Sequence, residues 1–177
     1  MRELILITGE IDAGKTHTLI QRFEAKPRGT ACGFATVKRF STQEDAFVGY
    51  DLKTLATGED MPFILLREKY KDDFSEPVFF ERFVFAQAGF RLAEEIVSMG
   101  IRNRSIRDIF IDEVGQLELQ GEGFSVALRE ALDSEKNITL ALHKKNVAAM
   151  VKKFNIIRYK IIDCDDLPKT SGVHAST

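Results

Sequence analysis

The residues from Gly9 to Thr16 have the types and spacing of a loop that binds phosphate. They read G-x-x-x-x-G-K-T and follow the apolar run Leu4–Ile7. The glycines let the backbone curl until its N–H groups face phosphate oxygens. We expect Lys15 to place its charge on the β- and γ-phosphates and Thr16 to offer its hydroxyl to Mg²⁺. The predicted nucleotide-binding residues are Gly9, Glu10, Ile11, Asp12, Ala13, Gly14, Lys15, Thr16 and His17.

One position in this loop is unusual. Asp12 stands where many such loops have glycine. Aspartate tolerates a positive φ better than most residues, so we expect the loop conformation to survive. A carboxylate so close to phosphate is expected to weaken binding.

An acidic pair at the end of a second apolar run is the candidate partner of the loop. The run Asp108–Ile111 leads into Asp112 and Glu113. A phosphate loop needs a carboxylate at the carboxyl end of a neighbouring strand to anchor Mg²⁺, usually through water. We predict that Asp112 serves the metal and that Glu113 orients and partly deprotonates the water that attacks the γ-phosphate. The alternative for Glu113 is a carboxylate that only tunes the metal's surroundings or caps a turn.

A histidine is predicted to reach the same edge of the sheet. His143 directly follows the predicted strand 138–142. There it could contact the γ-phosphate or the attacking water; a plain surface or structural histidine is the alternative. The string from His143 to Asn146 is not the N-K-x-D guanine reader of GTPases.

The periodicities around these residues indicate an α/β fold with a mainly parallel sheet. Buried strands are predicted at 4–7, 106–111, 138–142 and 156–163, and helices at 15–24, 123–132 and 147–154. A small antiparallel meander is predicted near residues 33–67, with strands at 33–37, 46–52 and 63–66 and a polar turn at 41–45.

Phenylalanines dominate the stretch that follows the meander. A loop is predicted at 69–74, a strand at 77–80, and a helix from Glu81 to Gly100 because Phe83, Ala86, Phe90, Ala93 and Val97 recur at helical spacing. We expect the phenylalanines at 79, 80, 83, 85 and 90 to pack in the core; base stacking is the alternative.

Composition favours a single soluble domain. The chain has 177 residues, 44% of them hydrophobic, and a net charge of −2, so neither nucleic acid nor a membrane is an expected partner. We predict a domain over 1–164 and a polar tail over 165–177. Cys32 and Cys164 are far apart and are expected to be reduced thiols. With no room for a signal peptide before the first strand, a cytoplasmic location is expected.

Several strings together resemble the nucleoside-triphosphatase family known from thermophilic prokaryotes and from a human cancer-related relative. They are the 9–16 loop, Gly33–Thr36, Gly49–Asp51, Thr57–Glu59 and D-E-V-G-Q-L-E-L at 112–119 with Phe124. The resemblance covers about residues 1–164. The string after the last strand, 163–167, departs from the Asn-Arg-Asp-like string that the family tends to show, which leaves base preference open.

The resemblance implies a three-layer, RecA-like P-loop fold with strand order 5-1-4-3-2. It also implies slow, Mg²⁺-dependent hydrolysis of ATP, GTP and other nucleoside triphosphates. Lys15 and Thr16 match the family's phosphate and metal positions, Asp112 and Glu113 its acidic pair, and His143 its strand-end histidine. Glu118 matches another family acid without an assigned role.

Two other functions remain open at this point. A small-molecule or nucleotide kinase would need an arginine-bearing lid late in the chain, and no R-x-x-R run follows Asp112. A nucleotide-dependent switch would use the meander as its partner surface. Arg39, Arg82 and Arg104 are unranked candidates for an arginine that contacts the transferred phosphate.

Overall fold

The computed structural model describes residues 2–42 and 45–167, which form one sheet of nine strands with helices on both faces. The strands are β1 (Leu4–Gly9), β2 (Ala31–Phe40), β3 (Phe47–Thr54), β4 (Asp60–Leu66), β5 (Pro77–Phe80), β6 (Phe83–Ala86), β7 (Asp108–Val114), β8 (Asn137–His143) and β9 (Lys160–Asp163). The α-helices are α1 (Lys15–Glu24), α2 (Gln87–Arg102), α3 (Gln116–Gln120), α4 (Ser125–Asp133) and α5 (Val147–Lys153).

Half of the sheet is parallel and carries the phosphate loop. Its spatial order is β2-β7-β8-β1-β9, with every neighbouring pair parallel. Numbered along the chain, these five strands lie in the order 5-1-4-3-2, which confirms the predicted topology. Gly9 pairs with His143, and Ile111 with Leu140, so β1, β7 and β8 end at the same edge of the sheet.

Burial on both faces explains the unbroken apolar run 4–7 of the first strand. Leu4 and Leu6 belong to the core cluster under α2 and α4, whereas Ile5 and Ile7 belong to the cluster under α1. Successive side chains of a strand point to opposite faces, so a strand covered on both faces is apolar throughout. The helices therefore form the outer layers of a three-layer fold.

The antiparallel half of the sheet is larger than predicted. Strands β3, β4, β6 and β5 continue the sheet from the edge of β2, each antiparallel to its neighbour. The helix predicted from Glu81 is wrong over its first six residues, because 83–86 form β6 and α2 begins at Gln87. Glu81 has φ 50° in the tight turn after β5, and the aromatic and β-branched residues that follow pair with β4.

Smaller differences concern the ends of elements. The last strand covers only 160–163 of the predicted 156–163, and the five-residue helix α3 after the acidic pair was not predicted. Residues 43–44 of the predicted turn and 168–177 of the predicted tail lie outside the described residues. The boundary at 164 stays a prediction. Within the described ranges, no helix has the length and apolar character needed to cross a membrane.

Candidate functional site

The loop between β1 and α1 has the backbone that its glycines suggest. Gly14 caps the N-terminus of α1 with φ 88°, in the left-handed region that glycine adopts readily. A Cβ added to Gly9 would lie 2.8 Å from the Cβ of Ala13, so the loop closes too tightly for a side chain there. The N-terminus of the ten-residue helix α1 follows directly, and its exposed N–H groups favour a bound anion.

Asp12 adopts the positive φ expected of it, and it has a cationic partner. Its φ is 62°, and its carboxylate oxygen Oδ1 lies 2.7 Å from the Nζ of Lys38 on β2. Both side chains are substantially exposed, so the pair adds little stability. Lys38 nevertheless offsets the negative charge that Asp12 brings to the loop.

Lys15 lies inside the loop rather than in solvent. Only 6% of its surface is exposed, and its Nζ donates a hydrogen bond to the carbonyl oxygen of Glu10 at 2.8 Å. Its charge favours the ionised forms of Asp112 and Glu113, and so opposes the effect of burial on both groups. This cation is therefore held between the loop and the acidic pair.

Asp112 on β7 connects β2 and the start of α1 through one carboxylate oxygen. Oδ2 accepts hydrogen bonds from the hydroxyl of Thr16 at 2.8 Å and from the backbone N–H and hydroxyl of Thr36, each at 3.1 Å. Thr36 was missed as a site residue, although it lies in one of the strings that carry the family resemblance. No local pattern marks Thr36, since it lies in the middle of β2, two residues past Phe34, the last residue paired with β7.

The second oxygen of Asp112 fits a cation. Asp112 is fully buried, and its Oδ1 has no hydrogen-bond partner among the described residues. A buried acceptor without a partner is costly, and a hydrated Mg²⁺ beside Thr16 would satisfy it. No group of three His, Cys, Asp or Glu residues in 2–42 and 45–167 could hold a metal. Mg²⁺ in phosphate sites takes most of its ligands from water and phosphate, so this donor set suits it.

Glu113 follows Asp112 and lines the same cleft as Lys15 and Thr16. Burial, and then the neighbouring charge of Asp112, raise the pKa of Glu113 to about 7. A carboxylate with a pKa near neutrality is suited to accept a proton from water. Burial also raises the pKa of Asp112, against the hydrogen bonds from Thr36 and Thr16.

A cleft of about 680 Å³ joins these groups to the antiparallel half of the sheet. Its lining includes Gly14, Lys15, Thr16 and Glu113, together with aromatic side chains of β3 to β6 and α2. Loop residues and an acidic group therefore share one pocket with a set of aromatic rings.

Comparisons with known proteins agree with this geometry. The sequence matches the profile of the family described as NTPase over residues 4–165. The chain belongs to this NTPase family. A comparison with curated proteins finds no significant match. Membership in the family supports nucleotide binding and nucleoside triphosphatase activity in general.

Two solved structures share the NTPase fold. The crystal structure of THEP1 from the hyperthermophile Aquifex aeolicus has a TM-score of 0.64 and 23% identity, over 91% of this chain and 89% of that one. The solution structure of a human cancer-related nucleoside triphosphatase has a TM-score of 0.63 and 21% identity, over 96% and 90% of the two chains. At these identities the likeness shows a shared fold.

Glu118 of the NTPase signature string has a structural role. Its carboxylate accepts the backbone N–H of Gly115 at 2.9 Å and that of Phe124 at 3.4 Å, which closes the turn after the acidic pair. Burial raises the pKa of Glu118, although these hydrogen bonds oppose the effect. A side chain on Gly123 would collide with this carboxylate, since its Cβ would lie 2.2 Å from Oε1.

His143 lies beside the first residues of the NTPase loop. Its Nε2 is 3.0 Å from a carboxylate oxygen of Glu10, and its Nδ1 accepts the backbone N–H of Lys145 at 3.2 Å. Lys144 joins the same group by contacting the carboxylates of both Glu10 and Asp165 at 3.0 Å. His143 and Glu10 are not among the residues that line the cleft. The role predicted for His143 in hydrolysis stays a prediction.

The structure separates the three candidate arginines of the NTPase. Arg39 is paired with Asp51 at 2.9 Å, and Arg104 precedes β7, at the opposite edge of the sheet from the loop. Arg82, in the β5–β6 turn, lines the cleft and forms no ion pair within the described ranges. Its guanidinium lies 5.0 Å from the centre of the Phe83 ring. Of the three candidates, only Arg82 lines the cleft.

Proposed function

We propose that this protein is a cytoplasmic, Mg²⁺-dependent nucleoside triphosphatase that releases the γ-phosphate of ATP, GTP and other nucleoside triphosphates. The observation that carries the proposal is the environment of Asp112. One buried carboxylate oxygen accepts a hydrogen bond from Thr16 of the phosphate loop, the other has no partner in the part of the chain that the structure describes, and Glu113 follows in the same cleft. This combination suits a phosphate-bound cation next to a water-activating carboxylate.

The roles of the residues follow from their positions. The N–H groups of the loop and the ammonium of Lys15 bind the β- and γ-phosphates, while Thr16 and Asp112 hold the metal. Mg²⁺, when bound, neutralises the charge of the phosphate oxygens. Glu113 accepts a proton from the water whose oxygen attacks the γ-phosphorus. The bond from that phosphorus to the β–γ bridging oxygen breaks, which yields a nucleoside diphosphate and inorganic phosphate.

Base preference is proposed to be loose. The sequence has no N-K-x-D guanine-reading motif. Discrimination between bases depends on hydrogen bonds to base edges, because a site built to make such a bond rejects a base that lacks it. Without such a reader we expect ATP, GTP, CTP and UTP all to be hydrolysed.

The decisive experiment compares phosphate release by the wild type and by Glu113→Gln. We expect slow, Mg²⁺-dependent release from all four triphosphates, and a loss of about 10²–10⁴-fold in the variant because its amide cannot accept the proton. Nucleotide affinity, measured by equilibrium titration, is expected to change little. Glu130→Gln, at an exposed position on α4, is the matched control and should keep the wild-type rate.

Three outcomes would contradict the proposal. If wild type and variant bind nucleotide equally but neither releases phosphate, the protein acts as a nucleotide-dependent switch. If Glu113→Gln retains the full rate, Glu113 does not activate the water. If phosphate release persists after the divalent cation is chelated, the reaction does not require Mg²⁺.

A further inference from the structure

Beyond the phosphate loop, the cleft widens into a space walled by aromatic rings, which we call the aromatic chamber. Its walls are the rings of Tyr50, Phe63, Phe80, Phe83, Phe85 and Phe90. Strands β3 to β6 carry five of these rings, and α2 carries Phe90. The chamber is thus a product of the antiparallel half of the sheet.

The chamber walls belong to the hydrophobic core. Phe63 and Phe90 are 2% and 3% exposed, and their ring centres are 5.1 Å apart in an edge-to-face contact. Phe85 lies 5.7 Å from Phe63 and stacks on Phe90 at 5.5 Å. Core side chains are held in place by their neighbours, so the space between them is preformed. The volume of the whole cleft is within the usual range for small-molecule sites.

A bound triphosphate accounts for only the polar end of this cleft. The faces of aromatic rings carry no hydrogen-bond donors. A triphosphate placed against them would lose its hydrating water without gaining hydrogen bonds in return, which costs a large amount of free energy. The chamber and Glu113 line the same cleft, and the charge of Glu113 acts on Tyr50 of the chamber. In the proposed function Glu113 faces the γ-phosphate, so the chamber lies on that side of the triphosphate. A nucleoside extends from the α-phosphate, at the opposite end of the triphosphate. The nucleotide therefore leaves the chamber free.

One hydroxyl in the chamber is available to a ligand. The ring of Tyr50 packs 5.1 Å from Phe47 and 6.4 Å from Phe83, but its hydroxyl makes no hydrogen bond with any residue of 2–42 or 45–167. Tyr50 is half-buried, so water can reach its hydroxyl, and a ligand in the cleft would replace that water as its partner. Burial raises the pKa of Tyr50, so the hydroxyl keeps its proton and can both donate and accept.

We infer that the aromatic chamber binds a flat, uncharged aromatic molecule at the same time as the nucleotide, with an amino or hydroxyl group of that molecule hydrogen-bonded to Tyr50. The ligand's ring would pack against the chamber rings as they pack against each other. Its polar substituent would lie at the Glu113 side of the chamber. The inference rests on the proposed function only for the position of the triphosphate.

The test uses N-phenyl-1-naphthylamine, an uncharged aromatic amine whose fluorescence increases in apolar surroundings. We expect a saturable increase with one probe bound per chain. Saturation of the protein with Mg²⁺ and a non-hydrolysable ATP analogue should change the probe's dissociation constant by less than about twofold, because the two sites do not overlap. Absence of a saturable signal would overturn the inference. Competitive loss of the probe would also overturn it, since the chamber would then hold the base.

Adjacent phenylalanines on β5 provide a matched pair of variants. Phe80 lines the chamber, whereas Phe79 is 50% exposed and packs against Tyr70 on the other face of the strand. We expect Phe80→Ala to weaken probe binding about tenfold, the value of one aromatic contact, and Phe79→Ala to leave it unchanged. Equal effects of the two substitutions would show that the probe binds elsewhere.

Two more variants distinguish a loss of the chamber from a general loss of folding. Ile64→Trp places a large ring on the chamber wall and should abolish probe binding while thermal unfolding still shows a folded protein. Tyr50→Phe keeps the ring and removes the hydroxyl, so a loss of about two- to tenfold is expected. Probe affinity that neither change alters would refute the assignment of the chamber.

Failure of this inference can be told apart from failure of the proposed function. Lys15→Ala removes the phosphate-binding cation and should abolish nucleotide binding and phosphate release, but it should leave probe binding intact. A protein that releases phosphate but never binds the probe retains the proposed function and lacks the second site. A wild-type protein that binds the probe but releases no phosphate would have the second site and lack the proposed function.

Discussion

At the scale of single residues, the site is organised around the carboxylate of Asp112, whose two oxygens have different surroundings. Three hydrogen bonds converge on Oδ2 of Asp112, and none from residues 2–42 or 45–167 reaches Oδ1. The three donors fix the orientation of the carboxylate and therefore the direction of Oδ1. Groups that orient a metal ligand commonly affect metal affinity as strongly as some ligands do. In the proposed function, Thr36 is therefore as relevant to the metal as the loop residue Thr16.

Arg82 has no role in the steps described above, but we expect its substitution to lower the rate of hydrolysis. A guanidinium at the γ-phosphate stabilises the charge that develops during transfer, and Arg82→Ala should therefore lower the rate of phosphate release by at least about tenfold. Single-turnover release at saturating Mg²⁺–ATP measures this effect separately from binding. Arg104→Ala, at the opposite edge of the sheet, should keep the wild-type rate. Equal rates for Arg82→Ala and wild type would exclude Arg82 from the reaction.

Glu118 should make stability depend on pH. Burial raises its pKa above the value of 4.5 that applies in the unfolded chain, so the folded state binds the proton more tightly. The stabilisation that this causes is complete below pH 4.5 and is lost as the pH rises through the folded pKa. Relative to Glu118→Gln, which cannot titrate, the wild-type free energy of unfolding should fall from pH 4.5 upwards.

Denaturant unfolding at several pH values measures that difference. Glu122→Gln, an exposed neighbour, is the control and should follow the wild-type curve. A difference between wild type and Glu118→Gln that stays constant, or that increases with pH, would contradict the raised pKa.

At the scale of elements, the contact between β2 and β7 decides where Thr36 meets Asp112. Gly33 pairs with Phe110, and a Cβ at Gly33 would lie 2.0 Å from the Phe110 carbonyl oxygen. That oxygen is part of the backbone, so it cannot move aside without displacing β7. The glycine thus permits the close approach that brings the two strands, and with them the metal-side residues, into register.

Gly33→Ala should therefore destabilise the fold more than a substitution that only strains the backbone. Gly58 also has a positive φ, but no atom lies within 4 Å of its would-be Cβ. We expect Gly33→Ala to lower the free energy of unfolding by about 1–3 kcal/mol more than Gly58→Ala does, since only the first adds a collision to the strain. Urea unfolding of the two variants gives the comparison. Equal losses would show that β2 and β7 adjust without cost.

At the scale of the whole molecule, nucleotide binding should stabilise the entire fold. The loop follows β1 and the acidic pair lies near the end of β7, and both strands have a neighbour on each side in one continuous sheet, so a ligand that binds only the folded chain shifts its global unfolding. At 100 times its dissociation constant, Mg²⁺–nucleotide should add about 2.7 kcal/mol, or roughly 5–10 °C in Tm. Differential scanning fluorimetry with ADP measures this shift. Lys15→Ala should show no shift, and a shift retained in that variant would mean that the nucleotide binds elsewhere.

The amino-acid sequence alone determined the parts of this protein whose signals are local. The loop from Gly9 to Thr16, the apolar run 4–7 of β1 and the acidic pair near the end of β7 are each readable within a few residues, because backbone curvature, burial on two faces and charge near a strand end leave local patterns. These signals were sufficient for the α/β class, and the family resemblance supplied the strand order.

Long-range contacts determined the rest. The strand at 83–86 looked helical because Phe83, Ala86 and Phe90 share helical spacing, and pairing with β4 overrode that pattern. The hydrogen bonds of Thr36 to Asp112, 76 residues away, and the placement of Arg82 on the cleft have no local signature. The aromatic chamber is likewise a space between elements. Such features depend on which surfaces meet in the folded chain, and a pattern along one segment carries no information about the segment that packs against it.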